Sequence, residues 1–452
     1  MVNQPELIAL DREVEQMGLS ASDAVRKMSE GQLTSEELVL DYLKRIEAHE
    51  PEVAAWAYID PRIALEQAKT LDEKRLKGNI LGPLHGIPIG LKDIIDTADM
   101  PTENGSDLFA GRIPERDATV TRLLREAGAV ILGKTVTTEF ALSGARATRN
   151  PYDLKRTPGG SSSGSAAAVS DHMVPLALGS QTGGSMLRPA SFCGVHGFKP
   201  SYGSVSRTGV FILSRRLDHL GVYAQNLNDL ALVGDVLMVR DYDDVEMCQY
   251  ADQSLVGALA QQFSGTPRLA IFKGRPWDFV EKGVSSIFQD TIVQLESAIQ
   301  DAHIPPIVEE ALSVHEVIMD ASAAANPGRY LAHAEKLLPE TVKRISVGDE
   351  ILASDYIVAI DKAERIRYAL DQVLEKVDAL VTLSAPGEAP LGLKSTGNPV
   401  FQKIWTLTGM PAISLPMMKG PNGMPIGLQL IGRRGHDAEL FRTAQWVEGK
   451  CS

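Results

Sequence analysis

Apolar residues recur at helical spacing near the start of the chain and again in its second half, with shorter, denser runs between. Ser20-Ala21-Ser22-Asp23 and Thr34-Ser35-Glu36-Glu37 read as helix starts. The second has the pattern of a capping box, in which Thr and a Glu three residues on satisfy each other's free backbone N–H groups. Leu38, Tyr42 and Ile46 then repeat along one face, which predicts two N-terminal helices joined near Gly31. A third helix is expected over Ile59 to Lys77, with Ala64, Ala68 and Leu71 inward. From Pro83 to about Gly221 the texture changes to Gly, Pro and short β-branched runs, where strands and loops should lie. Within it, Asp117 to Ala127 reads as a helix with Val120, Leu123 and Leu124 inward, feeding a strand at Ala129 to Leu132. Farther on, Leu269 to Phe272 is a short apolar run. Ser285 to Ala302 is amphipathic through Ile287, Ile292, Leu295 and Ile299. Tyr356 to Val377 predicts a long helix with Ile366, Leu370, Val373 and Val377 inward, followed by a strand at Asp378 to Thr382. Strands alternating with helices point to an α/β class without fixing the topology.

Composition narrows the function. The 452 residues are 44% hydrophobic and 23% charged, as in a globular protein. A net charge of −13 argues against nucleic acid or an anionic membrane as a partner. The first 18 residues carry Glu6, Asp11, Glu13 and Glu15 with no long apolar run, so a signal peptide is not expected. No run approaches the roughly 18 apolar residues of a membrane span. Cys193, Cys248 and Cys451 have neither metal-ligand spacing nor the number for a disulfide framework, so a reduced, cytoplasmic setting is the expectation. No internal repeat or low-complexity segment is seen.

The stretch from Thr157 to Pro200 organises the rest. Two Gly/Ser clusters, Gly159 to Ser165 and Gly183-Gly184-Ser185, flank apolar segments at Ala166 to Val169 and Val174 to Leu178 that call for burial. A flexible linker would not interrupt itself in this way. Glycine beside serine lets backbone N–H groups approach a bound atom, since no Cβ intervenes. Taken one by one, the polar residues have ordinary readings. Lys92 beside Asp93 reads as a surface lysine, Ser161 as a turn residue, and Ser185 as a helix N-cap.

Together they resemble the amidase signature family of serine hydrolases. The match runs through Gly159-Gly160-Ser161-Ser162, Gly183-Gly184-Ser185, Pro189-Ala190, Phe192-Cys193-Gly194 and Gly197-Phe198-Lys199-Pro200. Upstream, Gly82 to Asp93 is similar to the family's catalytic-lysine segment. Downstream, Gly409 to Pro416 and Pro425 to Gly432 are similar to its C-terminal segments. The likeness extends from about Ser20 to the end. It implies one domain over 1–452 on a mixed, twisted central β-sheet covered by α-helices on both sides. N-terminal helices would reach about 80 and the catalytic core would span about 81–230. A variable helical region would lie over the pocket at about 241–351, and the chain would return to the core at about 378–450.

The resemblance also implies roles. Ser185 would be the nucleophile, Ser161 the bridging serine, after a cis peptide bond, and Lys92 the base. The N–H groups of Thr182, Gly183, Gly184 and Ser185 would form the oxyanion hole. A free lysine has a pKa of about 10.4, so Lys92 must be buried to act as a base. The reaction would be hydrolysis of a carbonyl C–N bond through an acyl-enzyme, with no cofactor or metal. The substrate would be a small amide, carbamate or ester, and a homodimer is possible. Asn104, Arg149, Tyr152, Phe211, Ile212, Leu213 and Phe401 are pocket candidates, with Arg215 and Arg216 near its mouth. The apolar Phe211-Ile212-Leu213 run and Gln181 favour aryl amides and carbamates (urethane-like bonds). The alternatives are a glutamine-hydrolysing subunit of a tRNA amidotransferase, whose glutamine-binding segment has no obvious counterpart here, and an inactive binding protein.

Three positions depart from the family. Gln181 stands for a usual Asp, and Leu187 followed by Arg188 stands for a usual Arg two residues after the nucleophile. Those groups commonly interact, so the surroundings of the site should be rewired. Ser163 replaces a common Gly. Two further motifs are decoys. Gly128 to Thr135 fits the Walker A pattern, but its middle reads Ala-Val-Ile-Leu, a strand. Gly160 to Gly164 fits the G-x-S-x-G elbow, but the neighbouring motifs select Ser185. Cys193 near His196 reads as a buried small hydrophobe rather than a thiol nucleophile. The nine histidines lack ligand spacing.

Overall fold

The computed structural model describes residues 19–79, 82–251, 254–261, 263 and 265–451. The acidic N-terminal stretch that disfavours a signal peptide lies outside them. Helix α1 (Ala21–Ser29) starts at Ser20, whose hydroxyl accepts the Asp23 N–H. Helix α2 (Ser35–Val53) opens on the expected capping box: Thr34 Oγ1 accepts from Glu37 N at 3.1 Å, and Glu37 Oε2 accepts from Thr34 N at 2.9 Å. Its apolar face, Leu38, Tyr42 and Ile46, is buried, and each such side chain contributes about 1.5–3 kcal/mol. A short strand, β1 (Trp56–Ile59), precedes α3 (Pro61–Leu76), where the sequence pattern had merged its last residue into the helix. Asp60 caps α3 and Pro61 occupies its first turn, so the helix cannot begin earlier.

The remaining strands are β2 (Pro88–Lys92), β3 (Val130–Thr135), β4 (Leu176–Gln181), β5 (His196–Lys199), β6 (His219–Ala224), β7 (Leu269–Ile271), β8 (Ala379–Leu383), β9 (Ala412–Lys419) and β10 (Pro425–Ile431). They form one mixed sheet in the order β1-β3-β2-β4-β6-β5-β9-β10-β8-β7. Strands β3, β2 and β4 run parallel, while β4, β6, β5, β9, β10 and β8 pair antiparallel in turn. Helices cover both faces, the fold that the resemblance implied. In chain order they continue with α4 (Thr119–Glu126), α5 (Ser163–Ser170), α6 (Leu187–Cys193), α7 (Leu227–Leu237), α8 (Leu255–Leu259), α9 (Val284–Gln294), α10 (Ala311–Ala325), α11 (Pro339–Asp349), α12 (Ala353–Leu374), α13 (Val400–Thr408) and α14 (Asp437–Cys451).

Helix α9 stops at Gln294, short of Ala302, where the amphipathic pattern ends. There the chain turns to lie beside β7, where Ile299 bridges Leu269 and Gln300 N donates to Leu269 O at 2.7 Å. The stretch expected as a cover over the pocket thus also supplies β7 to the sheet edge.

Candidate active site

Lys92 ends β2 and Ser180 lies next to the end of β4, its parallel neighbour. The carboxyl ends of parallel strands are where open α/β sheets collect polar groups. Lys92 Nζ lies 2.7 Å from Ser161 Oγ and 2.8 Å from Ser180 Oγ. The lysine is wholly buried. Burial holds its pKa well below the usual lysine range, against the opposing pull of the Asp218 carboxylate. The Gly160–Ser161 peptide is cis, and Ser161 O accepts the Thr138 N–H at 3.2 Å. Ser162 Oγ donates to Ser180 O (3.1 Å) and accepts from Ser180 N (3.2 Å), which laces the serine turn to β4. A Cβ on Gly179 would stand 2.9 Å from Ser162 Oγ and 2.6 Å from Met186 Sδ, so this close approach requires glycine. Ser180 was missed by sequence reasoning. Its signal was a polar residue inside the strand that leads into the second Gly cluster.

Thr182 to Ser185 connect β4 to α6. Gln181 Oε1 accepts the N–H groups of Met186 (2.9 Å) and Leu187 (3.2 Å), and its Nε2 donates to Thr406 Oγ1 at 3.0 Å. The cap that the sequence assigns to Ser185 therefore comes from Gln181. Ser185 is held through its main chain, with Tyr223 OH donating to Ser185 O (3.1 Å) and Met186 O (2.9 Å). Arg188, also buried, donates to Gly160 O and Gly397 O, each at 2.5 Å, and to Thr396 Oγ1 at 3.1 Å. It ties the helix after Ser185 to the peptide before Ser161. Burial pushes its pKa down to about 10, still protonated at neutral pH. Gln181 and Arg188 thus serve different partners here.

The loop itself is pinned from three elements. Thr182 Oγ1 donates to Asp218 Oδ1 at 2.6 Å, and Asp218 Oδ2 accepts the N–H groups of Leu213 (2.8 Å) and Ser214 (2.9 Å). Burial pushes the Asp218 carboxyl up, against those hydrogen bonds. Thr182 O is bonded by His315 Nε2 of α10, and Gly183 O by Thr406 Oγ1 of α13, each at 2.8 Å. Among the described residues no protein acceptor takes the N–H groups of Gly183 or Gly184. A buried amine next to a serine, a second serine on a glycine loop and free N–H donors are the parts that acyl transfer needs.

Phe211, Ile212 and Leu213 line a small pocket with Ser180 and Thr182. Phe211 stacks on Phe140 at 5.1 Å between centroids, and Tyr330 lies 5.6 Å from Phe140. Asn104 is buried beside Phe140, its main-chain carbonyl accepting the Phe140 N–H at 2.9 Å. Phe140 and Tyr330 were missed; Tyr330 comes from the stretch that resembles the family least. The structure does not bring Arg149 or Tyr152 to this cluster. Arg149 is exposed, with its N–H on Val53 O, and Tyr152, 55% exposed, lies against Gly194. Phe401 is a core residue, its ring 6.2 Å from that of Trp277. Arg215 is exposed, and Arg216 pairs with Glu364.

The decoys resolve simply. Lys134 is buried at the end of β3 and donates to Ile95 O and Thr102 Oγ1, leaving no open loop for phosphate. The Cys193 thiol is pushed up by burial and bonds Pro158 O at 3.4 Å. Among the described residues no group of three His, Cys, Asp or Glu is placed to hold a metal, and no helix is long and apolar enough to cross a membrane.

Comparison with known proteins bears on the family and the fold. The amidase family model matches residues 37–441. The glutamyl-tRNA(Gln) amidotransferase A subunit of Chloroflexus aggregans is 35% identical over 94% of this chain and 95% of its own length. That of Natranaerobius thermophilus is 33% identical over 95% of both. Among solved structures, the peptide amidase of Stenotrophomonas maltophilia superposes with a TM-score of 0.82 at 28% identity, covering 96% of this chain and 97% of that one. A protein of a vestigial complex tied to the origins of an s-triazine catabolic enzyme gives 0.89 at 26% identity, covering 95% and 98%.

Proposed function

Because the chain belongs to the amidase family and so hydrolyses C–N bonds, we propose that it does so through an acyl-enzyme on Ser185, with Ser161 as relay and Lys92 as base. The carrying observation is the buried Lys92 amine, 2.7 Å from the Ser161 hydroxyl and depressed in pKa. In the neutral form Nζ takes the Ser161 proton as Ser161 takes that of Ser185. The Ser185 Oγ–carbon bond forms and the C–N bond breaks. The leaving amine is protonated back through Ser161, and water then attacks the acyl-enzyme by the same relay. Retention of Lys92, Ser161 and Ser185 speaks against an inactive binding protein.

For the substrate, the relatives favour the side-chain amide of glutamine. Glutamyl-tRNA(Gln) amidotransferase chains match over nearly the whole length, and on this reading the protein releases ammonia beside partner subunits. The Phe211 ring in the small pocket, backed by Phe140 and Tyr330, supports a second reading, in which a free-standing enzyme cleaves aryl amides or carbamates. Peptide mapping after fluorophosphonate treatment tests the chemistry. The adduct should sit on Ser185, disappear in Ser185→Ala and form more slowly in Lys92→Ala; an adduct on Ser162 would overturn the roles. Ammonia release from glutamine, against p-nitroaniline release from p-nitroacetanilide and hydrolysis of a phenyl carbamate, separates the substrates. Co-purification with partner subunits is expected only on the first reading.

A further inference from the structure

The Thr182–Gly183 and Gly183–Gly184 peptides each have their carbonyl held from one side and their N–H free. In a trans peptide the C=O and N–H point in opposite directions. Holding Thr182 O therefore aims the Gly183 N–H, and holding Gly183 O aims the Gly184 N–H. The two holders are His315 Nε2 and Thr406 Oγ1, each at 2.8 Å, from helices distant in sequence; the Thr406 hydroxyl shares its proton between Gly183 O and Gln402 O of its own helix, the latter at 3.0 Å. Glycine peptides rotate easily, so an unheld Thr182–Gly183–Gly184 segment would sample orientations that turn these donors away. The imidazole also packs on the glycine: a Cβ built on Gly183 would stand 3.7 Å from His315 Cε1, at ordinary contact distance. His315 is 1% exposed, and because Nε2 donates to a carbonyl, the proton of the neutral ring sits on Nε2. Its Nδ1 is buried without a partner. Burying that nitrogen unpaired is unfavourable, and a purely packing residue at this place would not need it.

We propose that His315 is a positioning residue for the oxyanion hole, with Thr406 as its counterpart one peptide on. His315 fixes the direction of the Gly183 N–H and Thr406 that of the Gly184 N–H, so that both meet the oxyanion that develops when Ser185 attacks. Neither side chain touches substrate. The inference rests on the reading of Ser185 as the nucleophile.

Misdirecting one oxyanion donor should act on the transition state and leave substrate binding nearly intact. The test uses the full chain with p-nitroacetanilide for steady-state rates and a fluorophosphonate for the rate of Ser185 labelling. His315→Met removes the donor, while His315→Gln keeps an N–H at the position of Nε2. The expected result for His315→Met is a fall of about 10- to 100-fold in kcat and in labelling rate, with KM within about twofold. His315→Gln should recover most of the loss. Thr406→Val should repeat the pattern and Thr406→Ser relieve it, which keeps the proposal testable should His315→Met fold poorly. Equal losses in His315→Met and His315→Gln, or a rise in KM in place of the fall in kcat, would assign these residues to packing and overturn the inference. Unchanged rates in His315→Met, with Ser185 labelled normally in the wild type, would overturn the inference alone. A wild type that is not labelled at Ser185 would overturn the reading beneath it as well.

Discussion

Lys92→Met separates catalysis from stability. Methionine keeps the length and most of the volume of the buried stem but removes Nζ. Two hydrogen bonds go, to Ser161 Oγ and Ser180 Oγ, each worth about 1 kcal/mol net. Against that, a wholly buried amine with no carboxylate in contact is no longer taken out of water, which returns about 1–3 kcal/mol. The two nearly cancel, so the variant should melt within a few degrees of the wild type at neutral pH. Loss of a general base costs about 10²- to 10⁴-fold in rate, and that is the expected fall in fluorophosphonate labelling of Ser185.

The pH dependence follows from the same lysine. Its folded pKa lies well below the unfolded value of about 10.4, so between the two the unfolded chain binds more protons than the folded one. The wild type should therefore gain stability relative to Lys92→Met as pH rises through that window, and the difference should level off below the folded pKa. Wild-type labelling should rise with pH as Lys92 loses its proton and then plateau; the variant should lack that limb. Labelling of Lys92→Met within a few-fold of wild type, with the rising limb intact, would refute the base assignment.

Gln181→Leu leaves two buried N–H groups of Met186 and Leu187 without an acceptor, at about 1–3 kcal/mol each, partly offset by burial of the leucine side chain. A net loss of about 2–3 kcal/mol in denaturant unfolding is expected, with a fall in kcat because Ser185 sits just before the uncapped turn. Phe211→Ala removes the ring stacked on Phe140, so KM for p-nitroacetanilide should rise at least several-fold while a short aliphatic amide is little affected. Cys193→Ala should retain activity within about twofold, and iodoacetamide should not inactivate the wild type through a thiol whose pKa burial has raised. Arg149→Ala and Tyr152→Ala should leave kcat/KM within about twofold, since both side chains stand exposed at the surface.

What could be read in advance divides by how local its cause is. The capping box at Thr34, the helical face of Leu38, Tyr42 and Ile46, and the strand after α12 follow from neighbours a few residues apart, and the sequence states them directly. The end of α9 could not be read this way. Ile287, Ile292, Leu295 and Ile299 keep helical spacing past Gln294, and only the place beside β7 turns the chain out of the helix. The site divides along the same line. Lys92, Ser161 and Ser185 could be singled out as candidates because three motifs in fixed order constrain one another. Ser180 could not, because it becomes a partner of Lys92 only when β2 and β4 lie parallel with their carboxyl ends level. His315 and Thr406 are still less visible. Each lies more than 100 residues from the carbonyl it holds, and no motif marks either, since a carbonyl can be held by many donors. Gln181 shows the converse. The sequence marks it as a departure, but only the fold shows the compensation: its amide caps α6 with one end and bonds Thr406 with the other, a pair of tasks that a carboxylate could not perform unless the threonine hydroxyl turned away from Gly183 O. Gln181 and the Gly183 clamp therefore meet in Thr406, and substitutions at Gln181 and Thr406 should be non-additive in kcat.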